Sequence, residues 1–160
     1  AVYKINIIIA SDMQKSIHED EHAEADIVYG AEECYRSITN LLQDSGFPKG
    51  VIPLKYLEEF GYVRKTGFAW RKQKGPYDHY FTSIKILVSY ATEITAYVEK
   101  GKMKKISGVK GKQLLLRVPL VEMSTNKDQK KIYSTTSMGF GRSYPITAFM
   151  TDEEKEKANE

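Results

Sequence analysis

Two histidines four residues apart, His18 and His22, enclose Glu19 in the order H-E-x-x-H. On a helix that spacing puts both imidazoles on one face, where they could hold zinc while the glutamate serves as base. The context argues otherwise. Asp20 and Glu21 fill the motif, no apolar helix body fixes ligand geometry, and His79 is the one other histidine in the chain. The run reads as a solvated acidic stretch, and neither a metal site nor a cofactor is expected. Cys34 and His79 could pair as nucleophile and base, but the pattern around Cys34 places it on the apolar stripe of a helix, as a core residue. No G-x-S-x-G is present. Gly139-Phe140-Gly141-Arg142-Ser143 lacks the spacing of a phosphate loop and the third glycine of a dinucleotide fingerprint. It is a turn before a strand, so no catalytic residue is expected.

Residues suited to binding are better represented. Trp70 stands between Ala69 and Arg71 in a chain with eleven tyrosines, six phenylalanines and one tryptophan. Together with Arg71, Arg117 and Arg142 it could line a groove for a flat or oily anionic ligand; as a core tryptophan it would simply pack. Six lysines (Lys100, Lys102, Lys104, Lys105, Lys110 and Lys112) fall in one acid-free stretch. They could meet phosphates or anionic lipid heads, or they could guard a strand edge against sheet-to-sheet association. Acidic residues gather elsewhere, eight of them between Ser11 and Glu33 against Lys15 alone. The net charge of +3 is too mild to argue for nucleic acid.

These residues need a scaffold. A chain of 160 residues, 41% hydrophobic and 28% charged, suits one globular domain rather than a disordered or fibrous chain. Ile7–Ala10 is far too short for a membrane span or a signal-peptide core. A single cysteine points to a reducing compartment, and a cytoplasmic location is expected. Residues 1–22 read as an appendage with a β-type start followed by an acidic, helix-compatible segment. Residues 23–150 form the domain, and 151–160 a charged tail. Cys34, Ile38, Leu41 and Leu42 predict a helix over Ala31–Asp44, stopped by Gly46 and Pro48. A helical turn is predicted at Leu54–Phe60, ended by Gly61.

Beyond Gly61 the period moves from 3.6 towards two. Strands are predicted at Thr66–Lys72, Tyr80–Tyr90, Glu93–Glu99, Met103–Ile106, Gln113–Met123, Lys131–Thr136 and Arg142–Met150. Lys100-Gly101-Lys102 predicts a tight hairpin, and Asn126–Gln129 another turn. The strand Gln113–Met123 is apolar on both faces (Leu114, Leu116, Val118 and Leu120 against Leu115, Val121 and Met123) with Arg117 in the second. Such a strand belongs where both sides are covered, and Pro119 marks a bulge or an edge. With no crossover helices, the expected class is mainly β (α+β): an antiparallel β-roll or barrel of about six or seven strands preceded by an N-terminal helix.

Blocks of this sequence resemble one family. They are Tyr29-Gly30-Ala31-Glu32-Glu33-Cys34-Tyr35, Ser45-Gly46-Phe47-Pro48-Lys49-Gly50-Val51-Ile52-Pro53-Leu54, Thr66-Gly67-Phe68 with Trp70 and Gln73-Lys74, and Val88-Ser89-Tyr90 through Thr95–Gly101. Leu114–Leu116 with Val118-Pro119 and Val121-Glu122-Met123 continue the series, as do Met138-Gly139, Gly141-Arg142-Ser143 and Pro145–Met150. In this order, over about 29–150, they resemble the plant family called domain of unknown function 538. The resemblance implies a β-roll or barrel with an N-terminal helix. It also implies ties to plant growth and stress responses, and proposals of lipid-like or chlorophyll-like ligands or weak ester hydrolysis. Arg117 stands where the family commonly has tryptophan, Ala91 where it has aspartate and Ser137 where it has proline. Residues 1–22 lie outside the family pattern.

The expectation is therefore a non-enzymatic binder of an amphipathic or lipid-like small molecule, with an anionic lipid surface as a second kind of partner and no transmembrane segment. The alternatives are a weak carboxyl-ester hydrolase, for which Cys34 and His79 are the available pair, and a protein-interaction adaptor.

Overall fold

The computed structural model describes residues 24–126, 128 and 130–160. His18 and His22, the β-type start and four of the eight acidic residues between Ser11 and Glu33 lie outside the described residues. A short strand β1 (Asp26–Tyr29) leads into helix α1 (Ala31–Asp44). Its buried residues Cys34, Ile38 and Leu42 recur every four positions, which gives a one-sided apolar stripe. Glu32 and Glu33 in the first turn complement the helix dipole, and Arg36 bonds Glu33 at 3.0 Å. The helix stops at a Schellman motif: the Phe47 N–H donates to the Leu42 carbonyl and the Gly46 N–H to the Gln43 carbonyl.

Eight further strands follow: β2 (Leu57–Tyr62), β3 (Phe68–Gln73), β4 (Tyr77–Phe81), β5 (Ile86–Glu99), β6 (Lys102–Gln113), β7 (Leu116–Thr125), β8 (Lys131–Thr136) and β9 (Gly141–Pro145). They form one antiparallel sheet in the order β1-β2-β3-β5-β6-β7-β8-β9, with β4 also paired to β5. The 14-residue β5 is its spine. The first half, Ile86–Tyr90, pairs with β4, and the second, Glu93–Tyr97, with β3, so β3 and β4 lie end to end along it. The predicted class holds, with nine strands among the described residues in place of six or seven. Because β1 and β9 end the order unpaired with each other, the sheet is a curled, open roll and not a closed barrel.

Several predicted boundaries move for identifiable reasons. Leu54–Phe60 is not a helical turn, since its second half opens β2. Leu57 and Phe60 are both buried although three apart, because a register shift between Leu57 and Glu59 adds a residue and imitates helical spacing. Tyr80–Tyr90 is broken by a turn at 82–85, and its second part is continuous with Glu93–Glu99. The short strand Met103–Ile106 belongs to the longer β6, in which Met103, Ile106 and Val109 are buried at spacings of three. Eight residues of β6, Met103 to Lys110, face five of β7, Pro119 to Met123. Lys105 and Gly108, both at positive φ, lie inside this bulged stretch. A Cβ on Gly108 would stand 2.4 Å from the Glu93 carbonyl oxygen, so only glycine fits there.

The hairpin at Lys100-Gly101 is as predicted, with Glu99 opposite Lys102. In contrast, Leu114 and Leu115 are not buried on opposite faces of a strand. They form a two-residue reversal between Gln113 and Leu116. After Pro145 the last predicted strand gives way to a 3-10 turn, Ile146–Phe149. The charged segment beyond it is a short helix, α2 (Asp152–Ala158), capped by a reciprocal box between Thr151 and Glu154. Glu154 also accepts from the Lys49 N–H at 3.0 Å, fixing this helix to the 3-10 turn Lys49–Val51.

One large core joins the α1 stripe to the concave side of the sheet. A smaller cluster of Val63, Phe68 and Trp70, with Ala25, Ile27 and Tyr97, occupies the other side of β3. That division follows from alternation along β3, where Ala69 and Arg71 point one way and Phe68 and Trp70 the other.

Candidate functional site

The concave side encloses an apolar cavity of about 100 Å³. From β5 come Val88, Tyr90, Ile94 and Ala96, all of one parity; from β6 come Met103, Ile106 and Val109, brought into line by the bulges. Ile132, Ser134 and Thr136 of β8 form the facing wall. Phe81 and Phe149 close one side edge to face, their centroids 5.3 Å apart, and Tyr144 meets Phe149 at 6.0 Å. Gln113 and three exposed residues, Lys112, Phe140 and Arg142, also line the cavity and mark its mouth.

A neighbouring slot of about 60 Å³ lies under α1, between Ile38, Leu41, Leu42 and Phe60, and shares Ile52, Ile94, Ala96 and Met103 with the main cavity. A wider hollow of about 660 Å³ lies beside α1. Its charges are of both signs (Asp26, Asp44 and Glu99 with Arg64 and Lys100), and Arg64 already bonds Asp26 at 3.2 Å. The apolar cavity is the better candidate because enclosure and an oily lining coincide there.

Of the residues singled out in the sequence, Arg142 and Lys112 reach this mouth. Arg71 is 5% exposed and stands behind the cavity wall, its guanidinium 5.8 Å from the ring centre of Tyr90, which lines the cavity. One of its nitrogens donates to the Pro53 carbonyl at 2.6 Å, which the Tyr77 hydroxyl also reaches at 2.8 Å. The Nε and Nη2 atoms have no hydrogen-bond partner among the described residues. Burial pushes this guanidinium below its usual range, with Tyr77 and Tyr90 opposing the shift, and burial raises the hydroxyl pKa of Tyr90.

Arg117 grips both carboxylate oxygens of Asp78, at 3.2 and 3.3 Å, and also bonds Ser89. Hydrogen bonds from Ser89 and Arg117 hold the Asp78 carboxyl below its ordinary pKa. Trp70 is 1% exposed within the smaller cluster, where its indole N–H donates to Glu59 at 2.7 Å. Gly61 makes room for it, since a Cβ there would overlap the indole at 2.1 Å.

The six lysines spread along β6 and its turn. Lys102 bonds Glu122 and Lys104 bonds Glu99, while Lys105 lies over the Tyr97 ring. Lys110 and Lys112 are at the opposite end of β6, roughly 30 Å from Lys102 at ~3.3 Å per residue. Cys34 is fully buried, its thiol donating to the Val28 carbonyl at 3.6 Å. Burial, with Glu59 and Glu33 nearby, raises its pKa, so the thiol is not primed as a nucleophile. His79 is on β4, opposite Val88 and packed edge to face on Phe81. Sequence reading left out Phe140, set between two glycines of a turn. An exposed phenylalanine there was the available signal.

The family model "Protein of unknown function, DUF538" matches residues 38–150, most of the chain. The chain belongs to the DUF538 family. The match begins inside α1 and ends just past the 3-10 turn that carries Phe149, so the whole cavity wall lies within the DUF538 region. No curated protein and no solved structure matches significantly. Among the described residues, no helix is long and apolar enough to cross a membrane.

Proposed function

We propose that this DUF538 chain is a non-enzymatic binder of an amphipathic, lipid-like small molecule. The apolar part of the guest enters the cavity between β5, β6 and β8, and its anionic head meets Arg142 and Lys112 at the mouth. The observation that carries this reading is the pairing of a recessed, mostly apolar lining with exposed cations at its opening. Burying an alkyl segment contributes about 0.8 kcal/mol per methylene, and the cations orient the head.

Size narrows the guest. The ~100 Å³ available is close to the ~150 Å³ that admits benzene and below the ~300 Å³ of a drug-sized pocket. A short alkyl segment fits this description, and a longer single chain is admitted by parting of Phe81 and Phe149. A diacyl lipid or a chlorophyll ring does not. On the family resemblance, the setting of such a binder is plant growth or stress responses, and the single cysteine suits a reducing, cytoplasmic compartment.

Organic extracts of the purified protein, analysed by mass spectrometry under denaturing conditions, are expected to yield a stoichiometric single-chain amphiphile. Added dodecanoate or lysophospholipid is expected to raise the melting temperature. An empty extract together with no thermal shift from either ligand would remove this reading.

A further inference from the structure

Three turns lie towards the mouth end of the sheet. Antiparallel register places the start of β5 beside the end of β6, since Val88 pairs with Gly111, and the β4–β5 turn at 82–85 follows from Phe81 opposite Ile86. The β6–β7 tip is Leu114-Leu115, between paired Gln113 and Leu116. Leu120 pairs with Thr136 and the Ser137 N–H donates to the Pro119 carbonyl at 2.9 Å, which brings the β8–β9 turn to the same end.

This end is oily and basic at once. Leu114 and Leu115 are each 95% exposed and Leu116 64%, with Met138 and Phe140 also exposed on the adjoining turn. Leu114 has φ +55, a left-handed conformation that Asn, Asp or Gly would adopt more readily. Leucine is therefore present at a turn position where both conformation and solvent disfavour it. Lys85, Lys110, Lys112, Arg117 and Arg142 are exposed around the tips. No acidic residue occurs in 82–89, 110–119 or 134–145. The carboxylate that reaches Arg117 is that of Asp78.

We infer that this end is a docking face for an anionic lipid bilayer, with Leu114, Leu115 and Phe140 entering the hydrocarbon boundary and the surrounding cations meeting lipid phosphates. A projecting two-residue tip whose leucines are exposed on all sides suits a fluid, penetrable phase, and the surrounding cations, of which Arg117 is already held by Asp78, suit anionic head groups. The face surrounds the cavity mouth but needs no guest in the cavity, so it stands apart from the ligand reading.

The test is co-sedimentation of the full chain with phosphatidylcholine vesicles, with and without about 30 mol% phosphatidylserine. Phosphatidylserine is expected to strengthen partitioning about tenfold or more, and raising salt from about 0.05 to 0.3 M is expected to reverse most of that gain. The double substitution Leu114→Ser with Leu115→Ser is expected to weaken partitioning about tenfold or more, with melting temperature and dodecanoate binding in vesicle-free solution unchanged. Lys112→Glu is expected to reduce the response to phosphatidylserine. Equal partitioning of the wild type and the double variant would overturn the inference. So would a solution dimer that the double variant abolishes, because a second copy would then be what covers the tip. Loss of dodecanoate binding with vesicle binding intact would count against the ligand reading alone.

Discussion

Single residues here show how burial, more than residue type, decides chemistry. Cys34 has the identity of a nucleophile but lies sealed on the α1 stripe, and burial holds its proton on. Its alkylation by iodoacetamide in the folded protein is expected to be at least ~100-fold slower than in urea, because reaction must wait for an opening that costs about 3 kcal/mol or more. Fast native labelling would show that the thiol is accessible and would reopen the hydrolase alternative. His79 is the residue-scale source of pH dependence. Burial, with Lys55 nearby, depresses its pKa below the ordinary 6.5, so the unfolded chain takes up its proton first as pH falls. The contribution of His79 to stability is then present above about pH 6.5 and lost as pH drops through its folded pKa. Urea titrations at pH 7.5 and 5.5 should show a smaller pH-dependent loss in His79→Gln than in the wild type, and an equal loss would contradict this assignment. Trp70 shows the limit of sequence reading at this scale. A strand has two faces, and nothing in the order Phe68-Ala69-Trp70-Arg71 states which of them looks into the cavity.

At the scale of elements, regular periodicity was legible and its interruptions were not. The four-residue recurrence of Cys34, Ile38 and Leu42 predicts α1 with its observed boundaries, and the alternation of Ile94, Ala96 and Val98 fixes a face of β5. Bulges defeat the same arithmetic. One in β2 makes Leu57 and Phe60 look helical, and those in β6 make Met103, Ile106 and Val109 look like the end of a strand. The leucine tip was hidden for another reason: alternation continues from Leu114 to Leu120 without a glycine, asparagine or aspartate to mark the reversal. The β6 bulge can be probed directly. Gly108→Ala must hold a Cβ at φ +84 and 2.4 Å from the Glu93 carbonyl oxygen, so it is expected to cost about 2–4 kcal/mol. Chemical denaturation measures this. A loss below about 0.5 kcal/mol would mean that the bulge adapts freely and does not fix the curl.

For the whole molecule, an open nine-stranded roll raises the question of how its concave side is filled. The α1 helix fills one half, while the other half, towards the mouth, is closed by Phe81, Tyr144 and Phe149 around a residual void. The family and the β-rich class with its leading helix could be read from ordered sequence blocks. The void could not, because it depends on how far the sheet curls and on which side chains of six strands fall short of one another. On the proposed function, this void receives the alkyl part of an anionic amphiphile. The most direct measurement is calorimetric titration of dodecanoate into the wild type and into Ser134→Leu, which places a larger apolar side chain at the cavity wall. Saturable one-to-one binding is expected for the wild type, and at least tenfold weaker binding for Ser134→Leu at undiminished melting temperature. No saturable binding by the wild type, or equal binding by a well-folded Ser134→Leu, would contradict it.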